Sequence, residues 1–249
     1  FLTTKHNVGN DSSISEWLIN YQGGFTRRGL GGELAIFISK NLNFELRVSI
    51  LILQIFFHIS YLILLFFLIK NMSLNYAQIF AIFTPIFIIY PLAEIEVLGR
   101  KEMILFLVFL ISIFLSNPKL QPKYLNLFCL ISLPILCLLW EQVVLYFPYF
   151  AVLIIFRNKL KDIKKVFYLN FIIFAPSIIV FLIIWFNPLS IDGKEVMCEF
   201  LENNFSEKCY MSANLLIKNT IYFSTIEVVH SNANFSHYLR YILIFLIGF

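Results

Sequence analysis

Long, uninterrupted apolar runs fill most of this sequence and leave it few ways to fold. Hydrophobic residues make up 59% of the chain and charged residues only 14%, whereas a soluble domain is about a quarter charged. One water-soluble core of this size cannot bury so much apolar surface. Because the runs are continuous rather than alternating, they favour membrane-spanning helices over a β-barrel. We therefore predict an all-α protein, a polytopic transmembrane helical bundle.

About seven segments are apolar enough to be predicted as spans, at residues 46–70, 78–93, 103–116, 124–140, 143–156, 166–186 and from near Tyr238 onward. Several are shorter than the ~20 residues that a straight span needs, so some are expected to borrow flanking residues or to be broken. The predicted organisation is an outer segment with surface helices at 1–45, six spans over 46–186, an outer loop or cap at 187–237 and a truncated span at 238–249. Because the sequence begins with Phe1 and ends inside an apolar run, we expect it to be a fragment.

The charges of the connecting segments predict which ends of the spans face the cytoplasm. Residues 156–165 carry five cations and one acid, and short loops rich in Lys and Arg stay in the cytoplasm. Alternation from that loop places residues 1–45, 94–102, 141–142 and 187–237 outside. Of the fifteen acidic residues, only Asp162 then lies inside. Carboxylate chemistry is therefore expected at the outer face.

Two adjacent arginines, Arg27 and Arg28, lie in the glycine-rich stretch YQGGFTRRGLGGEL before the first span. The segment ahead of it is predicted to be a short helix on the membrane surface, with Trp17 at the interface. Two guanidinium groups, a glycine turn and the N-terminus of the next helix favour binding of an anion such as a lipid phosphate. The alternatives are arginines that only reach ordinary lipid headgroups, or an ion pair with Glu33.

Charged residues also cluster at 91–104, between the second and third predicted spans. Glu96 and Arg100 are four residues apart and would pair on one helical turn. That pairing leaves Glu94 as the first candidate for a general base or a metal ligand. Lys101, like Arg100, is a candidate for phosphate binding. The alternative is a solvated loop whose charges only end the two helices.

Smaller features bear on the site and its surroundings. Glu141 stands alone between the fourth and fifth predicted spans and either ends a helix or faces the same cavity as Glu94, while Pro148 is expected to kink the fifth span. Cys198 and Cys209 lie in the predicted outer loop, where an oxidising compartment favours a disulfide over two unpaired thiols. The sequence has no zinc-binding, P-loop or G-x-S-x-G motif, and we expect no nucleic-acid partner.

This arrangement of spans, outer acids and basic residues resembles the GT-C superfamily of polytopic glycosyltransferases, which use sugars linked to polyprenyl phosphate. The resemblance implies a catalytic carboxylate at the outer face and basic residues that hold the lipid phosphate. The candidates are Glu94, Glu96 and Glu141 for the acid, and Arg27, Arg28, Arg100 and Lys101 for the phosphate. The stretch GGFTRRGLGGE is also similar to bacterial multi-span membrane proteins of uncharacterised activity.

The expected function is sugar transfer from a lipid-linked donor during assembly of a cell-envelope polysaccharide or glycan, in a bacterial inner (plasma) membrane. Membrane lipid and the lipid-linked sugar donor are the expected partners, and a divalent metal ion is the cofactor considered. The alternatives are a polysaccharide polymerase or ligase that relies on arginines, a transporter or flippase of lipid-linked or anionic solutes, and a non-catalytic assembly protein. The predicted spans are almost free of charge, which argues against the transporter.

The predicted orientation is tested by reporter fusions or protease accessibility at residues 94–102 and 156–165. We expect the two segments on opposite sides of the membrane, because only the second combines a short loop with an excess of cations. A fusion near residue 120, in another predicted cytoplasmic loop, should report the same side as 156–165. If 94–102 and 156–165 report the same side, the predicted outer-face pocket does not exist.

Overall fold

The computed structural model of the chain describes residues 12–70, 72–73, 75–76, 99–159, 162–209, 211–214 and 216–217. Over these residues every regular element is a helix and there is no strand, which agrees with the predicted all-α class. The elements are α1 (Ser12–Ser15), α2 (Gly29–Leu42), α3 (Leu46–Lys70), α4 (Glu102–Leu115), α5 (Pro122–Leu139), a 3₁₀ helix η1 (Glu141–Tyr146), α6 (Phe147–Asn158), α7 (Ile163–Phe186), α8 (Ile191–Phe205) and α9 (Met211–Asn214).

Three of these helices, α3, α5 and α7, are long and apolar enough to cross a membrane. They correspond to the predicted spans at 46–70, 124–140 and 166–186. The predicted third span is the 14-residue helix α4, which is about 21 Å long and too short for a hydrocarbon core of roughly 30 Å. The predicted fifth span is divided into η1 and the 12-residue helix α6. The predicted second and seventh spans lie outside the described residues.

The kink predicted at Pro148 is absent, and two other prolines lie inside helices. Pro148 lies in the first turn of α6, where its missing N–H is not needed, so it starts the helix and does not kink it. Pro134 and Pro176 lie inside α5 and α7. Each removes one hydrogen bond from its helix, and these two helices pack along each other.

Helix α5 is the element around which the others pack. Leu125, Cys129 and Leu133, which lie on one face, are completely buried, and α4, α6 and α7 all contact this helix. The Cys129 thiol therefore acts as a small apolar filler. By contrast, α3 exposes large side chains such as Phe56 and Phe66, as expected for a helix that faces lipid.

The helices alternate in direction, so the connecting segments gather at two ends of the bundle. At one end the Trp17 indole Nε1 donates a hydrogen bond of 2.9 Å to the Gly99 carbonyl. We call residues 16–28, 99–102 and 140–141 the charged end. At the other end the amides of Asn126 and Asn158 bond to each other. The described part of 94–102 therefore lies at the opposite end of the bundle from 156–159.

The segment before α2 is packed into the protein and does not form the predicted surface helix. Helix α1 has only four residues, and Ile14, Trp17 and Leu18 are almost fully buried. The glycines of α2 make this possible, because a Cβ on Gly32 would lie 2.1 Å from the Ile19 carbonyl oxygen. Gly32 thus allows two segments of backbone to touch.

The predicted outer loop is partly helical. Helix α8 begins at the cap residue Ser190, whose hydroxyl accepts a hydrogen bond from the Gly193 N–H at 3.0 Å. A disulfide joins Cys198 in α8 to Cys209. This segment packs on the charged end through a second small apolar cluster, which consists of Ile19, Leu189, Met197, Ala213 and Leu216.

Candidate functional site

Five charged side chains meet inside the charged end, and we call them the buried charge cluster: Glu16, Arg27, Arg28, Lys101 and Glu141. They come from the turn after α1, the segment before α2, the turn before α4 and the first residue of η1. Glu16, Lys101 and Glu141 are each less than one-tenth exposed. Burial of this much charge is costly unless the groups compensate one another.

Arg28 is the centre of the cluster because it pairs with two acids at once. Its Nε donates to both carboxylate oxygens of Glu141, at 3.1 and 2.8 Å, and its Nη2 donates to Oε1 at 2.8 Å. Its Nη1 donates to Glu16 Oε1 at 3.0 Å. This two-pronged contact uses the planar fork of a guanidinium group, which a lysine cannot reproduce.

The backbone of Arg28 is also unusual, since its φ is 63° and lies in the left-handed region. A residue other than glycine is uncommon there, and such a conformation costs on the order of 1 kcal/mol. It occurs at the cap position immediately before α2. The two ion pairs of the side chain help to hold the backbone in this conformation.

The ion pair sets the charge states of Arg28 and Glu141. Burial alone would raise the pKa of Glu141, but the hydrogen bonds and the charge of Arg28 outweigh it and hold the pKa below its usual value. Burial would lower the pKa of Arg28, and the same partner with Glu16 holds it above its usual value. Glu141 is therefore an ionised, fully engaged acceptor. A general base works best with a pKa near the operating pH, so this environment favours an ion-pairing role for Glu141 over the predicted catalytic one.

Lys101 lies next to the ion pair of Arg28 with Glu141, and only 1% of its surface is exposed. Its ammonium donates to the Arg28 carbonyl at 2.7 Å and lies 5.6 Å from the centre of the Trp17 ring. Gly31 leaves room for it, since a Cβ there would be 2.9 Å from Lys101 Cε. Burial lowers the pKa of Lys101 to about 7, although the charge of Glu16 acts in the opposite direction. Among the described residues no carboxylate forms an ion pair with it.

The other predicted phosphate-binding residues differ in their surroundings. Arg27 Nη1 lies 3.7 Å from Glu141 Oε1, and the Arg27 side chain is 13% exposed. Burial lowers the pKa of Arg27, and the nearby Glu141 opposes that shift. Arg100 Nη2 pairs with Glu102 Oε1 at 2.9 Å, whereas its predicted partner Glu96 lies outside the described residues, as does Glu94.

Several buried polar atoms near the cluster have no hydrogen-bond partner within the described part of the chain: Glu16 Oε2, Arg100 Nε, Glu102 Oε2 and Trp140 Nε1. Buried polar atoms are normally satisfied by protein or by water. They therefore mark the places where water or a polar ligand would bind. The described residues contain no group of three or more His, Cys, Asp or Glu side chains that could hold a metal ion, so the divalent metal considered from the sequence has no ligand set there.

The structure thus brings together four of the predicted site residues: Arg27, Arg28, Lys101 and Glu141. Sequence reasoning missed the role of Glu16, which precedes the glycine-rich stretch in the sequence. The sequence did contain a signal for this role. Glu16 adjoins apolar residues that are buried, and a carboxylate in such surroundings needs a charged or hydrogen-bonding partner. The alternative partner proposed for the arginines, Glu33, instead accepts hydrogen bonds from the Tyr21 N–H at 2.8 Å and from Gln22.

Comparisons of the chain with models of known protein families, with curated proteins and with solved structures give no match in any of the three. The resemblance to the GT-C superfamily therefore stays a prediction.

The ion pair of Arg28 with Glu141 predicts a large loss of stability in Glu141→Gln. That change leaves a buried guanidinium with Glu16 as its remaining acidic partner, and breaking a buried pair costs about 3–5 kcal/mol. Replacing both residues, in Arg28→Met with Glu141→Met, should cost much less than the sum of the two single changes. The measurement is thermal unfolding of the purified protein in detergent.

The matched control for that series is Glu195→Gln, which changes an exposed carboxylate of α8. Such a surface substitution should change stability by only about 0.5 kcal/mol or less. If Glu141→Gln unfolds at the wild-type temperature, or if the two single changes are simply additive, the pair does not hold the charged end together.

The burial of Lys101 leads us to expect that the free energy of unfolding rises with pH. Its pKa falls from an ordinary value near 10.5 to about 7 on folding, so between these limits the unfolded chain binds a proton that the folded chain does not. Stability should therefore increase from pH 7 towards pH 10, by at most about 1.4 kcal/mol per pH unit, and should not change further from this group below pH 7.

The measurement is the difference in unfolding temperature between the wild type and Lys101→Met at each pH. The wild type should gain relative to the variant as the pH rises, because methionine cannot titrate. Lys119→Met, which changes an exposed lysine at the other end, serves as the control and should show a constant difference. A constant difference for Lys101→Met as well would mean that Lys101 keeps an ordinary pKa.

Proposed function

We propose that the charged end binds the phosphate of a polyprenyl-phosphate-linked sugar and that the protein is a membrane glycosyltransferase acting on that donor. The observation that supports this most is the pair of adjacent guanidinium groups at the charged end, where Arg27 lies 3.7 Å and Arg28 lies 2.8 Å from Glu141. Guanidinium groups bind phosphate through several charge-assisted hydrogen bonds at once. A lipid-linked phosphate is the anion that such a position favours.

The residues of the cluster would have different tasks in this function. Arg27 is the proposed phosphate contact, because its guanidinium lies 3.7 Å from the nearest Glu141 oxygen, farther than that of Arg28 at 2.8 Å. Arg28 would act as a positioning residue, since Glu141 and Glu16 already engage its guanidinium. Lys101, whose pKa is lowered to about 7 by burial, would add positive charge in its protonated form.

The transfer reaction needs a base for the acceptor. A carboxylate would take the proton from an acceptor hydroxyl, and the oxygen would then attack the anomeric carbon of the sugar. The bond from that carbon to the phosphate oxygen breaks, and the cations stabilise the departing phosphate. Glu94 and Glu96 are the candidates for the base. They precede Lys101 by seven and five residues in the sequence.

A second candidate function is a polysaccharide polymerase or ligase that uses arginines and needs no carboxylate base. It is favoured by one observation, that both acids of the buried charge cluster are already paired with Arg28.

A transporter is less well supported, because α3, α5 and α7 contain no acidic residue, and transport sites usually need charged groups at the bilayer midplane. We propose that the protein lies in a bacterial inner membrane.

The proposed phosphate site is tested with Arg27→Gln and a radiolabelled polyprenyl phosphate. We expect binding to weaken about tenfold, the effect of losing a hydrogen bond to a charged group, when binding is measured at a temperature where the variant is folded. Arg157→Gln, at the other end of the bundle, is the matched control and should bind like the wild type. Equal binding by Arg27→Gln would remove Arg27 from the site.

The base is tested separately, by assaying sugar transfer in Glu94→Gln and Glu96→Gln. Loss of transfer with retained polyprenyl phosphate binding identifies the base. Full activity in both variants, with loss of activity in Arg27→Gln, would favour the polymerase or ligase instead.

A further inference from the structure

A second polar site lies away from the buried charge cluster, where the turn between α2 and α3 meets the end of α8. It is an open cleft of about 590 Å³, within the size range of small-molecule sites. Its charged lining consists of Lys40, Glu45, Arg47 and Glu207, and Phe44 and Asn204 also line it.

The walls of the cleft are fixed before any ligand binds. On one side the hydroxyl of Ser39 donates to the Phe44 carbonyl at 2.6 Å, and the Phe44 N–H donates back to the Ser39 carbonyl at 3.1 Å. On the other side Arg47 Nη2 donates to Glu207 Oε2 at 2.9 Å. The disulfide from Cys198 to Cys209 holds the chain on which Glu207 lies.

The charges of the cleft are balanced, two positive and two negative, and one positive and one negative group, Arg47 and Glu207, pair with each other. Two helix ends add to this pattern, because α2 ends at Leu42 and α8 ends at Phe205, both beside the cleft. The carboxyl ends of helices carry partial negative charge and favour a cation. The site therefore suits a ligand with no net charge that carries a phosphate and an ammonium group apart from each other.

The cleft also lies at the start of a helix that can cross a membrane. Arg47 is the second residue of α3, and the exposed apolar residues Val48, Ile52 and Ile59 follow it along the same helix. Acyl chains attached to a headgroup in the cleft would find this apolar surface directly below it.

We propose that this cleft binds the headgroup of a zwitterionic phospholipid of the phosphatidylethanolamine class. Lys40 and Arg47 contact the phosphate, and Glu45 and the two helix ends face the ammonium group. The acyl chains follow the exposed face of α3. This site does not depend on the proposed transfer reaction.

The test uses the purified full chain in detergent micelles titrated with labelled dioleoyl phosphatidylethanolamine, with bound lipid measured by native mass spectrometry. We expect dioleoyl phosphatidylglycerol and dioleoylglycerol to bind about tenfold more weakly, because each lacks an ionic contact. Glycerophosphoethanolamine, which has the headgroup without chains, should also bind more weakly. Equal binding of it would assign the cleft to a free solute and overturn the lipid proposal.

Two exposed residues separate the contributions within the cleft. Lys40→Gln and Glu45→Gln should each weaken phosphatidylethanolamine binding several-fold, and Glu45→Gln should also reduce the preference over phosphatidylglycerol. Glu195→Gln on α8 and Lys119→Gln at the other end are the matched controls, since both side chains are exposed and lie outside the cleft. Unfolding temperatures confirm that each variant is folded.

Three further results would overturn the proposal. They are wild-type binding in both cleft variants, equal binding of the zwitterionic and anionic lipids, and displacement of the lipid by a neutral oligosaccharide. The last would indicate a glycan site. None of these results bears on the polyprenyl phosphate site, so the two proposals fail independently.

Discussion

The ion pair between Arg28 and Glu141 joins parts of the chain that are 113 residues apart. It connects the segment before α2 to the junction of α5 and η1, and Glu16 and Lys101 are placed around it. The chain has few charged residues, and burying five of them in one place costs free energy unless each has a partner. The position of the N-terminal segment against the helices follows from this pairing.

Small residues and one aromatic side chain complete that attachment. Trp17 donates its indole N–H to the Gly99 carbonyl, which also accepts a hydrogen bond from Gln54 in α3. A single carbonyl in the turn before α4 thus holds the N-terminal segment and a spanning helix together. Gly32 permits the close backbone contact on the other side. The charged end is therefore a packed junction of four segments, and its polar atoms without partners are the places left for water or ligand.

Much of the fold could be predicted from hydropathy, because a membrane-spanning helix forms all its backbone hydrogen bonds internally and carries apolar side chains. The bounds of α3 agree with the predicted 46–70, where charged residues interrupt the apolar run at both ends. The same signal predicted spans at 103–116 and 143–156, where the described helices α4 and α6 are shorter than a span needs, because hydropathy marks apolar segments but not where a helix ends. Trp17 was also predicted at the membrane surface, although it is buried.

The candidate site was predictable only in part, for a different physical reason. The sequence marks Arg28 and Glu141 as unusual charges in apolar surroundings, but nothing local indicates that they pair, because the contact is made by the fold. Helix α8 was also missed, since its sequence carries many polar residues and lacks a long apolar run. Its capping serine and the cleft that it forms with α3 are visible only once the chain is folded.

The disulfide between Cys198 and Cys209 has a consequence for the order in which the protein is assembled. The two cysteines follow all three helices that can cross a membrane in the described part of the chain, so they leave the ribosome after those helices do. Oxidation needs an oxidising compartment, and the bond can close only after this stretch has been delivered to one. Closure of the covalent ring therefore comes after these three helices have left the ribosome, and a cell deficient in thiol oxidation would accumulate a form without this ring.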